Sequence, residues 1–165
     1  MPQHSTMRMS YMRKQAIAGL KLGDSFAVSR TFTEQDTLAF ADISGDYNPV
    51  HFDDRFANAE HFRGRICHGL LVASLVTKIG GQIGWLASGM NFRFKNPVYF
   101  GDTIECSLTI TELDDRNRAQ AEAVFKNQHN ETVLEAHITG IIPALPERRV
   151  MEAMMAEGDP TNKSR

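Results

Sequence analysis

The sequence predicts an α+β domain: an antiparallel sheet curved around one long apolar helix. Three observations lead to it. Leu70–Ile79 is apolar on nearly every face, as a helix inside a core must be. Four later segments each read as a strand bounded by turn residues. Ahead of the apolar run, Ser25–Phe32 alternates and offers one more strand to complete or edge the sheet.

The elements follow in chain order. Residues 1–22 read as a polar leader with room for a short helix over Tyr11–Leu20, and residues 23–143 as a single domain. After the first strand, Thr33-Glu34-Gln35-Asp36 has the form of an N-cap and an acidic first turn. The helix it opens carries Leu38, Phe40, Ala41 and Ile43 and should end near Gly45. A bent segment and a short helix near Asp53–Ala59 follow. Gly64 and Gly69 frame a tight entry to the apolar helix, which is expected to fade at Gly80-Gly81. A buried strand is the alternative for such a run, but its length and its Ala and Leu content favour a helix. Met90–Val98, Thr103–Leu113, Ala119–Asn127 and Thr132–Ile142 then predict four strands in an antiparallel meander. Residues 144–165 read as a tail with a loosely docked helix and a disordered end. An exposed sheet edge or face needs cover, which dimerisation supplies.

Composition narrows the function. The chain has 165 residues, enough for a substantial core, and a net charge of −2, which gives no reason to expect nucleic acid or an anionic membrane as partner. No stretch is apolar enough to span a bilayer, and residues 1–20 lack a secretory apolar region, so a cytoplasmic protein is expected. Two cysteines, Cys67 and Cys106, make no disulfide framework.

Chemistry concentrates in two runs. In Ser44-Gly45-Asp46-Tyr47-Asn48-Pro49-Val50-His51, a carboxylate and an imidazole lie five residues apart on a segment that Pro49 keeps from being helical. Such a pair suits general acid–base work near neutral pH. The same residues also make an ordinary Asx turn capping a helix. In Cys67-His68-Gly69-Leu70, a glycine opens the apolar helix, where unpaired N–H groups could hold a developing oxyanion. Equally, Gly69 could only ease the entry, with His68 as cap. His51, Asp53, His61, Cys67 and His68 are conceivable metal ligands, but their spacing matches no zinc signature, and no metal is expected.

Ile43–His51 with Phe56-Ala57, then Gly64–Ser74, then Phe94–Thr103, together resemble the MaoC-like (R)-specific enoyl-CoA hydratase and dehydratase family, over roughly residues 25–142. The resemblance implies a hot-dog fold working as a homodimer or higher oligomer. It implies reversible addition of water to a trans-2-enoyl-CoA, giving the (R)-3-hydroxyacyl-CoA. Asp46 and His51 would be catalytic, with Asn48 steering His51 or a water and Gly69 N–H binding the thioester oxygen. Ser74 or Thr77 could supply a helper hydroxyl. His68, Arg63, Arg65, Arg93 and Lys95 are candidates for contact with the substrate. No cofactor is implied, because coenzyme A belongs to the substrate. A hot-dog thioesterase and a non-catalytic acyl-CoA-binding member of the fold are the competing readings.

Overall fold

The structure, a computed structural model, describes residues 3–163. The first and last two residues of the expected leader and tail lie outside the described residues. Eleven regular elements run in order: α1 Gln3–Ala18, β1 Ser25–Thr31, α2 Glu34–Ser44, α3 Asp54–Ala59, α4 Gly69–Ala73, α5 Leu75–Ile83, β2 Leu86–Phe94, β3 Thr103–Leu113, β4 Arg118–Lys126, β5 Thr132–Ile141 and α6 Leu145–Ala156. Pro49–His51 forms one additional 3₁₀ turn.

Alternation decides the faces of the sheet. Phe26 and Val28 of β1, Ile104, Cys106, Leu108 and Ile110 of β3, and Ala121, Ala123 and Phe125 of β4 are all buried. They share one core with Leu75, Val76, Ile79 and Ile83 of α5. The intervening residues, such as Glu105 and Glu122, face outward.

The apolar helix does not fade at Gly80-Gly81; α5 runs through both and ends at Gly84, whose φ of 70° stops it in a left-handed cap. Each helical glycine costs about 1 kcal/mol. Ile79 and Ile83 are 0% exposed, and burying such a side chain returns about 1.5–3 kcal/mol. Burial therefore wins. The helix is broken instead at Ser74. Ser74 Oγ donates to the Leu71 carbonyl at 2.6 Å and Thr77 Oγ1 to the Ser74 carbonyl at 2.6 Å. Hydroxyls bonded back to the main chain in this way disturb the helical ladder.

The four-strand meander needs correction. All pairings are antiparallel, but the sheet order is β1-β3-β4-β5-β2, so only β3, β4 and β5 follow one another as neighbours. β2 pairs with β5 at the far edge. The link from β2 to β3 is no hairpin turn. Cys67 N–H donates to the Val98 carbonyl at 2.8 Å, and Ile66 bridges Tyr99, which pins this link beside the head of α4. Pro97 also has no N–H to offer a ladder.

The N-terminal segment is longer in helix than expected and belongs to the body of the fold. Met12, Ala16 and Leu20 join the core. Arg13 donates through Nε to the Gln82 carbonyl at 2.8 Å and through Nη2 to that of Gly81 at 3.2 Å, both at the C-terminal end of α5. Its Nη1 meets Asp159 Oδ2 at 2.8 Å, and the two side chains are 5% and 2% exposed. The hydroxyl and N–H of Thr161, together with Arg13, hold the Asp159 carboxyl below the usual carboxylate range. Met151 of α6 is buried in the same core. Among the described residues, no helix is long and apolar enough to cross a membrane.

Candidate active site

The site begins with how α2 starts and stops. Thr33 Oγ1 accepts from Asp36 N–H at 3.3 Å, and the Asp36 carboxylate accepts from Thr33 N–H at 2.9 Å, so the expected N-cap is closed into a capping box. Arg30 pairs with Asp36, and its charge with the Thr33 N–H keeps that carboxyl ionised below its ordinary range despite partial burial. Gly45 ends α2 with φ 75°, a left-handed conformation that glycine adopts without a steric cost. The chain then turns sharply. Asn48 Oδ1 accepts from Val50 N–H at 3.2 Å and Pro49 opens the 3₁₀ turn. Asn48 therefore shapes the turn that carries His51, through the backbone.

This turn separates the pair by environment. His51 is 7% exposed, whereas the Asp46 side chain at the rim is 48% exposed. His51 Nδ1 lies 2.8 Å from the Ile66 carbonyl. A carbonyl only accepts, so Nδ1 carries the proton and Nε2 presents a free lone pair. Nε2 faces Asp46 Oδ2 at 3.9 Å. Burial, the largest influence, lowers the pKa of His51, and the neighbouring His68 adds to this; the Ile66 carbonyl and Asp46 act in the opposite sense. The net result favours neutral imidazole, the form able to take a proton.

Asp46, His51 and Gly69 line one cavity of about 500 Å³ with apolar side chains that include Phe62, Val72 and Leu134. Gly69 opens α4, so its N–H belongs to the first turn that has no helical acceptor. A Cβ on Gly69 would come within 2.6 Å of the Phe94 ring, another wall of the cavity. Cys67 also lines it. Burial pushes its thiol up to about 12, so no thiolate nucleophile is at hand. Both cysteines are buried and free.

The other candidates are placed differently. His68 is behind it, buried, with Nε2 2.8 Å from the Asp46 carbonyl and its ring centroid 3.8 Å from that of His51. The hydroxyls of Ser74 and Thr77 are engaged with the helix backbone, and Thr77 borders a separate cavity beside Trp85. Of the four basic candidates, Lys95 lines the cavity, though its Nζ is also 3.5 Å from Glu135. Arg63 stacks over Tyr99 at 3.8 Å. Arg65 pairs with Glu34 at 2.6 Å. Arg93 is on the outer sheet face with Glu122, Glu135 and His137.

Asp46, His51 and His68 also form the one grouping of possible metal ligands among the described residues, with ligand atoms within 4.8 Å of one another. His68 Nε2 is already committed to the Asp46 carbonyl. His61, Asp53 and Cys67 are not part of the grouping. Sequence reasoning missed two contributors, the Ile66 carbonyl that fixes the His51 tautomer and the Phe94 ring against Gly69. A backbone carbonyl carries no residue-type signal, and Phe94 reaches Gly69 only because β2 occupies the edge beside β5.

A five-stranded antiparallel sheet around a buried helix, with a carboxylate–imidazole pair at the helix head, defines a hot-dog domain of the hydratase and dehydratase type. The chain belongs to the MaoC-like family, whose domain matches residues 21–133. It is 32% identical over 132 residues to a mitochondrial 3-hydroxyacyl-[acyl-carrier-protein] dehydratase of Arabidopsis thaliana, covering 76% of this chain and 80% of that protein. It is 30% identical to an (R)-specific enoyl-CoA hydratase of Rhodospirillum rubrum, covering 76% and 90%. Among solved structures, the (R)-hydratase from A. caviae involved in PHA biosynthesis superposes with a TM-score of 0.71 at 30% identity, covering 76% of this chain and 98% of that one.

Proposed function

We propose that this protein catalyses the reversible (R)-specific hydration of a trans-2-enoyl-CoA to the (R)-3-hydroxyacyl-CoA. The observation that carries the proposal is the free Nε2 of His51 facing Asp46 Oδ2 at 3.9 Å on the wall of an apolar cavity. That gap suits one water held by both groups.

The chemistry needs a base, an acid and a donor for the thioester oxygen. The water oxygen would bond to C3 while its proton passes to His51 Nε2. The C2=C3 electron pair moves onto C2 and the thioester oxygen, where Gly69 N–H would hold the developing charge. A proton then returns to C2. Asp46 orients the water and balances the imidazolium. Coenzyme A enters with the substrate, and these groups require no further cofactor or metal. Two buried free thiols suit a reducing, cytoplasmic setting.

We also infer a homodimer. β2 is exposed on both faces along nearly its whole length, and it presents Leu86, Met90 and Phe94 to the outside at a sheet edge. An apolar edge of that kind calls for a second copy.

The test is the loss of conjugated-thioester absorbance with crotonyl-CoA, followed by chiral analysis of the product. The (R)-3-hydroxy product supports the reading. Release of free CoA from a saturated acyl-CoA would replace it with the thioesterase. Binding without turnover of either substrate would replace it with the non-catalytic member.

A further inference from the structure

His68 is a buried polar side chain to which the chemistry above gives no part. It is 1% exposed, between the rings of Phe40 and His51. Its Nε2 lies against the Asp46 carbonyl at 2.8 Å. Because a carbonyl only accepts, Nε2 is the protonated nitrogen and Nδ1 is bare. That Nδ1 is buried with no hydrogen-bond partner among the described residues. Such an orphan works against folding. An apolar ring of similar size would fill the same space without it, so packing alone does not account for a histidine here.

The turn it touches is otherwise loosely attached. Residues 42–49 are exposed. Asp46 N–H donates to Ser44 Oγ, Tyr47 N–H to the Gly45 carbonyl and Asn48 N–H to Asp46 Oδ1, all within the turn. Among the described residues, the bond from His68 is the one hydrogen bond that ties Gly45–Asn48 to a distant part of the chain, the head of α4. The same ring lies against His51, and its Nε2 is 3.9 Å from Asp46 Oδ2. His68 thus touches both members of the pair from behind.

We propose that His68 is a positioning residue: Nε2–H donated to the Asp46 carbonyl, and a ring face set against His51, hold carboxylate and base in register for one water. The proposal rests on the hydration reading for its catalytic meaning, but the tethering of the turn can be measured without it. The other ionisable groups around His51 are Asp46 from the turn, and Cys67 and Lys95 from the cavity wall.

Two variants of the full chain separate positioning from packing. His68→Phe keeps a ring and loses the donor. His68→Gln loses the ring and keeps an N–H at the same distance from Cβ. With crotonyl-CoA, His68→Phe should melt no lower than wild type, keep KM within about twofold, and lose on the order of 10²-fold in kcat, the scale of a small misplacement of reacting groups. His68→Gln should recover at least about tenfold of that loss. Amide hydrogen exchange at Tyr47 and Asn48 should quicken in His68→Phe and return towards wild type in His68→Gln. If Phe does not fit, His68→Leu takes its place. Wild-type kcat and exchange in the apolar variant, or a Gln variant no better than the apolar one, would overturn the proposal. A wild-type chain that does not hydrate crotonyl-CoA overturns the functional reading instead, and the exchange rates still decide whether His68 tethers the turn.

Discussion

At the scale of single residues, the proposed hydration assigns its work to two ionisable groups in unlike surroundings, His51 buried and Asp46 at the rim. Asp46→Asn and His51→Ala are each expected to lower kcat about 10²–10⁴-fold with the fold retained. If both act on one water, the double variant should be little worse than the more damaged single one; steady-state kinetics with circular dichroism on all three decides this. The His51 environment also sets a pH dependence. Burial, the leading influence, brings its pKa below the ordinary histidine value of 6.5, so the acid limb of kcat/KM should fall below pH 6.5. The unfolded chain binds that proton more tightly than the native one, so this residue's contribution to stability is present above pH 6.5 and declines as pH falls through the window beneath it. A kcat/KM profile with an acid-limb pKa above 6.5 would show that the Ile66 carbonyl and Asp46 outweigh burial at His51. Gly69 makes a steric case at the cavity wall. A methyl group there meets Phe94 Cε1 at 2.6 Å, so Gly69→Ala should lose on the order of 10²-fold in turnover, the scale of one lost oxyanion donor. Gly69→Ala with Phe94→Leu should recover part of it.

At the scale of elements, local chemistry was legible and long-range pairing was not. The N-cap at Thr33 with its acidic first turn, the stop at Gly45 and the strand Thr103–Leu113 are each encoded within a few residues, and each stands as read. The Asp46–His51 turn was legible for the same reason: its caps and its proline are neighbours in sequence. The partner of β2 was not, because Leu86–Phe94 could face either β3 or β5 with equal alternation. Only the tethering of residues 95–102 beside the head of α4 decides it. The helix end was misjudged because glycine propensity is visible in a sequence and the burial of Ile79 and Ile83 is not. That imbalance has a measurable side. A Cβ at Gly81 meets nothing within 4 Å, and the site is exposed and helical. Gly81→Ala should therefore stabilise by about 0.5–1 kcal/mol, read as a rise of about 2–4 °C in melting temperature per kcal/mol.

At the scale of the whole molecule, the edge at β2 and the joined chain ends govern behaviour. Light scattering at micromolar concentration should give twice the monomer mass, and Met90→Lys should shift it towards monomer. Arg13→Met would leave the Asp159 carboxylate without its cation and with Thr161 as its remaining partner, which should destabilise the fold. Thermal melts of Arg13→Met and of Asp159→Asn should both fall well below wild type, while a pair of unchanged melts would reduce the contact to a solvated surface pair. This same contact bears on how the protein is made. Arg13 and Asp159 lie 146 residues apart in sequence, so the ribosome releases the cation long before its anion. Until residue 159 has emerged, the nascent chain carries a first helix whose apolar face and guanidinium lack their final lock. The step that locks this helix therefore waits for residue 159, which leaves the ribosome after every strand of the sheet and the central helix.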